Sequence, residues 1–396
     1  MRIIIIGGGP AAVEAALTAR QFNGNANITI FSAENILPYR RPLLVDFLGS
    51  EVTPARFFIH EQSFYDQHRI EIRLNTPVIS IDWPENRIML GNQTYEYYDK
   101  LLIACGAMAS RLPASLFGEQ AEGFVLHNWS DAVILKQKLK KSTHIMIVGG
   151  GILGLEIAIQ CLQQRIAVTL IERSKRILPG VLDSSCEYFL QKSLLEHYPD
   201  FQICTNCTIR QIQKHHRRVS CTVQSGAQTR RLEADCIIQT IGFSAGSPQW
   251  QPPIKKDRLE VDEFMQVKGF DNIFAAGDCA VFSQVRAGSY SNALQMGRVA
   301  GANLAGKKVP WQVPLQEIRS NIGSCRIYAA GNISGSELTA VEEINADSMQ
   351  KLYYFKDKLV GIVLLGNTAA AGSFALQLGT EFKPQQIPPE CVTSRG

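Results

Sequence analysis

The sequence predicts an α/β protein built on parallel sheets, and three observations carry that reading. Two short, apolar runs rich in isoleucine and valine, Ile3-Ile4-Ile5-Ile6 and Ile145-Met146-Ile147-Val148, read as strands buried on both faces. Each runs directly into a glycine cluster and then a helix-periodic segment. The composition agrees: 45% hydrophobic residues supply sizeable cores, and 31 glycines in 396 residues supply tight turns.

The same composition excludes several classes. Charged residues are only 19%, which argues against a disordered chain or a coiled coil. No apolar run approaches the ~18 residues needed to cross a bilayer. The net charge of +4 is too mild and too scattered to argue for nucleic acid, but it favours an acidic partner. The ten cysteines read as thiols, as in a reducing compartment. Met1-Arg2 leads straight into a strand and a glycine turn, unlike a secretory leader, so a cytoplasmic location is expected.

Taken in order, residues 2–6 form the first strand, and Gly7-Gly8-Gly9-Pro10-Ala11-Ala12 follows. Gly7 permits the sharp turn, Gly9 lets backbone approach a pyrophosphate, and Ala12 lets a helix pack close to the strand. Val13 to Phe22 carries the helical pattern, with Pro10 and Ala11 in its first turn. Such a helix aims free N–H groups and a positive dipole end at phosphates. Ile28 to Phe31 is the next strand, and Glu34 beyond it suits a ribose hydroxyl. Alone, a GxGxxA also occurs as a plain turn in other α/β proteins.

The second copy carries all three glycines. A strand at 144–148 meets Gly149-Gly150-Gly151-Ile152-Leu153-Gly154, and Leu155 to Gln164 reads as a helix. Val168 to Ile171 is a strand ending at Glu172, 23 positions after Gly149. Glu172 favours a free 2′-hydroxyl, hence NADH over NADPH, although Arg173 beside it suits a 2′-phosphate. The two fingerprints stand 142 positions apart and predict two Rossmann-like dinucleotide-binding domains. Two dinucleotides in one chain imply electron traffic, and NADH with FAD is the pair that passes a hydride.

Four further segments resemble one group of proteins. Asp99 to Ala107 (DKLLIACGA) resembles the "YDKLLIATG" segment of two-dinucleotide flavoprotein reductases, with Cys105 where threonine is common. Asn272 to Cys279 (NIFAAGDC) resembles the segment that closes their FAD site. Pro38 to Pro42 (PYRRP) resembles the loop of the rubredoxin-reductase, ferredoxin-reductase and nitrite-reductase-like branch, which lacks a redox-active disulfide. Lys351 to Gly361 resembles the hairpin of their C-terminal interface domain.

The resemblance implies a nested architecture. Residues 1–115 and 246–306 would form the FAD domain, 116–245 an inserted NAD domain, and 307–396 a small α+β interface domain with an irregular tail. It places Gly7, Gly9, Pro10, Ala11, Ala12, Glu34, Arg41, Ala104, Gly106, Gly277, Asp278, Asn292 and Ala293 at FAD. Gly149, Gly151, Ile152, Leu153, Gly154, Glu172 and Gly242 fall at NAD. Asp278 matches the aspartate that bonds the ribityl chain, and Arg41 the loop arginine near FAD. Arg40 is not separable from Arg41 by sequence, and Arg111 lies one position past the usual pyrophosphate arginine. The helical run ending at Leu304, capped by Ser291 or Asn292, would turn its positive end to the flavin.

Glu156 is the candidate catalytic residue. In relatives an acid here lies near the nicotinamide and pairs with a lysine after the loop, but Asp46 stands at that place. An ordinary first-turn acid is the other reading. Residues 1–104 hold no cysteine, so the thiolate relay of disulfide reductases is missing. Cys204-Thr205-Asn206-Cys207 lacks a second pair for zinc, His215-His216 reads as a hairpin tip, and no metal site is expected.

Two classes of function remain. The first is an NADH oxidoreductase passing electrons through FAD to an acidic rubredoxin- or ferredoxin-type carrier, as a monomer or homodimer. Direct reduction of a small molecule or O₂, or service to nitrite, nitrate or NO reduction, are variants of it. The second is a non-enzymatic flavin sensor, against which the complete second fingerprint argues.

Overall fold

The computed structural model describes residues 1–245, 258–283, 285–286 and 288–382. The expected return to the FAD domain at Gly246 and the tail beyond Phe382 lie outside them. The chain divides into two compact units.

The first unit comprises Met1–Ser110, His127–Val133 and Phe243–Pro314. Its five-stranded parallel sheet runs in the order Ile273–Ala275, Lys100–Ile103, Arg2–Ile6, Asn27–Phe31, Ile70–Arg73. The isoleucine run is the central strand, which explains its lack of alternation: Ile3, Ile4, Ile5 and Ile6 are all buried. Each such side chain contributes about 1.5–3 kcal/mol by leaving water. The helix Pro10–Phe22 buries Ala11, Ala12, Val13, Ala15, Ala16 and Ala19.

Those alanines admit a second helix, Tyr290–Leu304, at backbone distance. A Cβ on Gly297 would lie 2.4 Å from the Ala11 carbonyl oxygen, and one on Gly301 would lie 2.4 Å from that of Ala15. The two helices therefore touch main chain to main chain, and Arg298 pairs with Glu14 at 2.6 Å on the rim.

The second unit comprises Arg111–Leu126, Ile134–Gly242 and Leu315–Gly396. It repeats the plan: a parallel sheet ordered Phe201–Cys204, Ala167–Ile171, His144–Val148, Cys236–Gln239, Gly123–Phe124. The fingerprint strand is again central. A three-stranded antiparallel sheet follows, Thr208–His215, Arg218–Ser225 and Gln228–Ala234. His216 lies at its first turn with φ +53°, as the hairpin reading expects.

The rest of this unit is a five-stranded antiparallel sheet ordered Glu317–Ile322, Cys325–Gly331, Lys358–Leu365, Met349–Phe355, Thr339–Ile344. Lys356 and Asp357, both at positive φ, make the two-residue turn of its central hairpin. A polar cluster joins this sheet to the helix Ser184–His197 of the same unit. Lys351 Nζ lies 2.7 Å from Asp183 and 2.8 Å from Glu342, and donates to Ser185 Oγ at 2.7 Å. Asp183 also caps the helix by accepting from the Cys186 N–H at 3.1 Å.

Two boundaries differ from the sequence reading. The second fingerprint helix spans Ile152–Gln163 rather than starting at Leu155. The cap of Tyr290–Leu304 is Ser289, not Ser291 or Asn292. Ser289 keeps extended backbone and its Oγ accepts from the Asn292 N–H at 3.1 Å, whereas Ser291 and Asn292 are already helical.

Candidate functional site

Both fingerprints are built by the same backbone device. Gly7 has φ +114°, and a Cβ there would sit 2.3 Å from the Ala104 carbonyl oxygen. Gly149 has φ +112°, and a Cβ there would sit 2.4 Å from that of Thr240. Each strand end thus presses a carbonyl against the turn, and only glycine supplies both the positive φ and the clearance. The third positions diverge for a local reason. Ala12 is fully buried on its helix, while a Cβ on Gly154 would stand 2.1 Å from the Gly149 carbonyl oxygen and 2.7 Å from Thr240 Oγ1. That hydroxyl donates to the carbonyls of Val148 and Gly149, both at 3.0 Å.

The middle glycines are open. Gly9 and Gly151 are the N-caps of Pro10–Phe22 and Ile152–Gln163, with no side-chain cap and no acid in either first turn. A Cβ on Gly9 or Gly151 would meet nothing within 4 Å. Two helix ends therefore offer N–H groups and positive dipoles to clear space, which fits a pyrophosphate at each. Gly106 and Gly242, at φ +74° and +99°, are equally clear. Ile152 and Leu153 form the first turn of the second fingerprint helix.

Every residue assigned to FAD lies in the first unit, and every residue assigned to NAD lies in the second. Gly277 comes within 3.4 Å of the Ala11 side chain, measured from a Cβ position, which brings the 272–279 segment to the first cradle. Asp278 accepts from the Gly288 N–H at 3.1 Å through its side chain and from Arg258 at 2.9 Å through its carbonyl. Asn292 and Ala293 are buried in the first turn of Tyr290–Leu304.

Glu34 is held more tightly than its sequence role suggests. It accepts from Arg41 at 3.0 Å, from the Tyr39 hydroxyl at 2.8 Å and from the Trp129 N–H at 3.2 Å. Arg41 also donates to the His127 carbonyl. Arg40 turns away, donating to the carbonyls of Arg56 and Phe58, so the structure separates two arginines that sequence does not. Tyr39 stacks on Phe57 at 4.9 Å, and Trp129 packs against Phe57 and Phe47. Burial pushes the Tyr39 hydroxyl pKa up and pulls that of His127 down, with Arg41 adding to the latter. Sequence reasoning missed this aromatic support of the loop.

In the second unit, Glu172 is buried and accepts from the N–H groups of Gly150 at 2.7 Å and Ser174 at 2.6 Å. Its carboxylate is thereby fixed against the glycine turn, with lone pairs left for a ribose hydroxyl. Glu156 accepts from Ser320 Oγ at 2.7 Å. Asp46, where a lysine partner was sought, pairs instead with Arg56 at 2.8 Å. Arg111 donates to the Gly123 carbonyl at 3.3 Å. Cys204 and Cys207 are buried, and no cluster of metal-binding side chains occurs among the described residues.

The charge is not scattered as the chain total suggested. Residues 208–234 hold six Lys/Arg against one Glu, a net +5, which leaves −1 for the remainder of a +4 chain. Arg210, Lys214, Arg217, Arg218, Arg230 and Arg231 are all exposed on the three-stranded sheet. A local charge count along the sequence was the signal that would have found it.

A family model for pyridine nucleotide-disulphide oxidoreductases matches residues 1–297. A rubredoxin-NAD(+) reductase of Pseudomonas putida is 30% identical over 329 residues, covering 79% of this chain and 82% of that protein. That of Ectopseudomonas oleovorans is 30% identical over 392 residues, covering 95% and 98%. Among solved structures, a ferredoxin reductase from Rhodopseudomonas palustris gives a TM-score of 0.85 at 22% identity, covering 97% and 96%. NADH:rubredoxin oxidoreductase from Clostridium acetobutylicum gives 0.80 at 21%, covering 99% and 98%. Those two likenesses speak for the fold, and the Rossmann-like α/β reading agrees with them. No helix among the described residues is long and apolar enough to cross a membrane. With most of its length matched by the family model and with relatives at 30% identity, the chain belongs to the pyridine nucleotide-disulphide oxidoreductase family.

Proposed function

We propose that this chain passes electrons from NADH through FAD to a small electron-carrier protein of the rubredoxin or ferredoxin type. The observation that carries the reading is the pair of uncapped, unobstructed helix ends, one in each unit, each behind a complete strand–glycine–helix turn. Relatives named rubredoxin-NAD(+) reductase and putidaredoxin reductase support the carrier class. The absence of cysteine from residues 1–104 supports direct delivery without a thiol relay.

FAD belongs in the first unit and NADH in the second under this reading. The bound flavin would supply acceptance of a hydride and its release as single electrons. The chain's own residues hold and orient. Helix N-terminal N–H groups bind pyrophosphate, Asp278 takes the ribityl chain, and the helix of Asn292 and Ala293 turns its positive end to the flavin. Glu172 selects the unphosphorylated ribose and so NADH over NADPH. Glu156 positions the nicotinamide side of the site, with Ser320 fixing its carboxylate. The partner is acidic, drawn by the excess positive charge. The test is NADH turnover against a panel of rubredoxin, ferredoxin, quinone and O₂. Fast reduction of a protein carrier is expected, and turnover with quinone or O₂ alone would overturn the reading.

A further inference from the structure

We propose that Cys105 and Cys279 form a two-thiol redox centre at the first unit's dinucleotide cradle, closing to a disulfide on reaction with a hydroperoxide. The inference goes beyond the proposed electron transfer and does not depend on it.

The strands leading to the two residues are neighbours: Lys100–Ile103 and Ile273–Ala275 pair in parallel, with Ala275 opposite Ile103. A positive-φ glycine stands beside each cysteine, Gly106 directly after Cys105 and Gly277 two residues before Cys279. Cys279 Sγ lies 3.3 Å from the Ile103 carbonyl oxygen and 3.4 Å from that of Ala276. It is therefore seated against the strand end that carries Cys105, two residues on. The two side chains hydrogen-bond to each other, and the N–H groups of Cys105 and Gly106 also reach the Cys279 sulfur.

That environment divides the pair chemically. The bond from Cys105, joined by the backbone N–H groups, holds the Cys279 pKa below the ordinary thiol value. The same bond, with burial, holds Cys105 well above it. The shared contact makes the two thiols inequivalent, Cys279 being the easier to ionise and Cys105 the harder, while the Cys279 S–H also donates to the Ile103 and Ala276 carbonyls. Cys105 is also the more accessible member, only partly buried, while Cys279 is buried. Its backbone lies at the fingerprint: the Cys105 Cα is 3.1 Å from where a Gly7 Cβ would stand.

The chemistry balances with hydrogen peroxide as oxidant. One sulfur takes an oxygen atom as the O–O bond breaks, and the first water leaves. The second sulfur attacks it, the S–O bond breaks, the S–S bond forms, and a second water leaves. Two thiols are oxidised and one peroxide is reduced.

Peptide mapping of the full-length protein tests this without reference to turnover. Cleavage after Lys and Arg releases Cys105 in 101–111 and Cys279 in 269–286, each as the sole cysteine of its peptide. After peroxide treatment and alkylation of free thiols, a linked pair of these two peptides is expected, lost on reduction by dithiothreitol. Cys105→Ser and Cys279→Ser should each abolish it. Recovery of both peptides separately alkylated from peroxide-treated wild type would overturn the proposal, as would an over-oxidised Cys105 with Cys279 still free.

Discussion

Replacing Lys351 with methionine should destabilise the second unit by about 2 kcal/mol, in a pH-dependent way. Its side chain is 13% exposed, and the ammonium sits between the side chains of Asp183, 24% exposed, and Glu342, 30% exposed. Breaking a fully buried pair costs about 3–5 kcal/mol and an exposed one about 0–1, so this cluster falls between. The pKa shift gives a similar figure. Burial works against the Asp183 carboxylate, but bonds from Lys351, the Cys186 N–H and Tyr353 hold its pKa down from 3.8 to about 2. By linkage the whole shift is worth roughly 2.4 kcal/mol, shared among Lys351, Cys186 and Tyr353, and solvent screening of the exposed part reduces it to about 1–2, the upper bound for the part that Lys351 supplies through Asp183. A depressed folded pKa contributes stability that is complete above the unfolded value and lost as pH falls toward the folded one. The gap between wild type and Lys351→Met should therefore be full at pH 6–8 and close between about pH 4 and 2. Glu342, lowered first by its bond from Lys351, moves the same way. The described tryptophans, Trp83, Trp129 and Trp311, lie in the first unit, so urea unfolding should be followed by far-UV circular dichroism rather than by their fluorescence. A penalty below about 0.5 kcal/mol at neutral pH, or one unchanged at pH 3, would refute the reasoning.

Three further outcomes are expected. Gly301→Ala gains about 1 kcal/mol of helix propensity but drives a methyl into the Ala15 main chain, so a net loss of about 1–2 kcal/mol and a lower FAD content on purification are expected; a higher melting temperature would sink the account. Glu172→Gln sets an amide against two backbone donors and should raise the KM for NADH about tenfold with kcat little changed, since about 1.4 kcal/mol of uniform binding is removed; an unchanged KM would remove Glu172 from the site. Reversing charge with Lys214→Glu and Arg217→Glu should lower the second-order rate with an acidic carrier severalfold at low salt and flatten its salt dependence. A wild-type rate that does not vary between low and high salt would end the steering argument.

What the sequence made legible was local. A buried central strand writes itself as an unbroken apolar run, and a glycine turn punctuates it, so both fingerprints could be read directly, whereas the 351–361 hairpin was legible only through its resemblance to a known family. The remainder depends on partners far along the chain. Lys351 and Ser185 are 166 residues apart, and nothing near either announces the other. Glu34 reads as a ribose acid from its position after a strand, yet one of its partners, Trp129, lies 95 residues away. Gly297 and Gly301 look like poor helix formers until Ala11 and Ala15 supply the reason. The Ser289 cap was missed because later Ser and Asn residues compete for the part on composition alone. The basic sheet was present in the letters but averaged away by the chain total.

The obstructions around the glycines also set which mutations can be rescued. At Gly7 and Gly149 the obstacle is a carbonyl oxygen, an atom that every residue at position 104 or 240 would carry. No second-site substitution at those positions can make room, so a selection for revertants of Gly7→Ala should return only true reversion or distant compensators. Gly123 is of the other kind. A Cβ there would meet the Gln239 side-chain nitrogen at 2.2 Å and the Phe117 ring at 3.1 Å, both removable. Gly123→Ala should accordingly be suppressed by shortening Gln239. The two glycine turns are thus genetic dead ends, while the neighbouring sheet edge retains an exit.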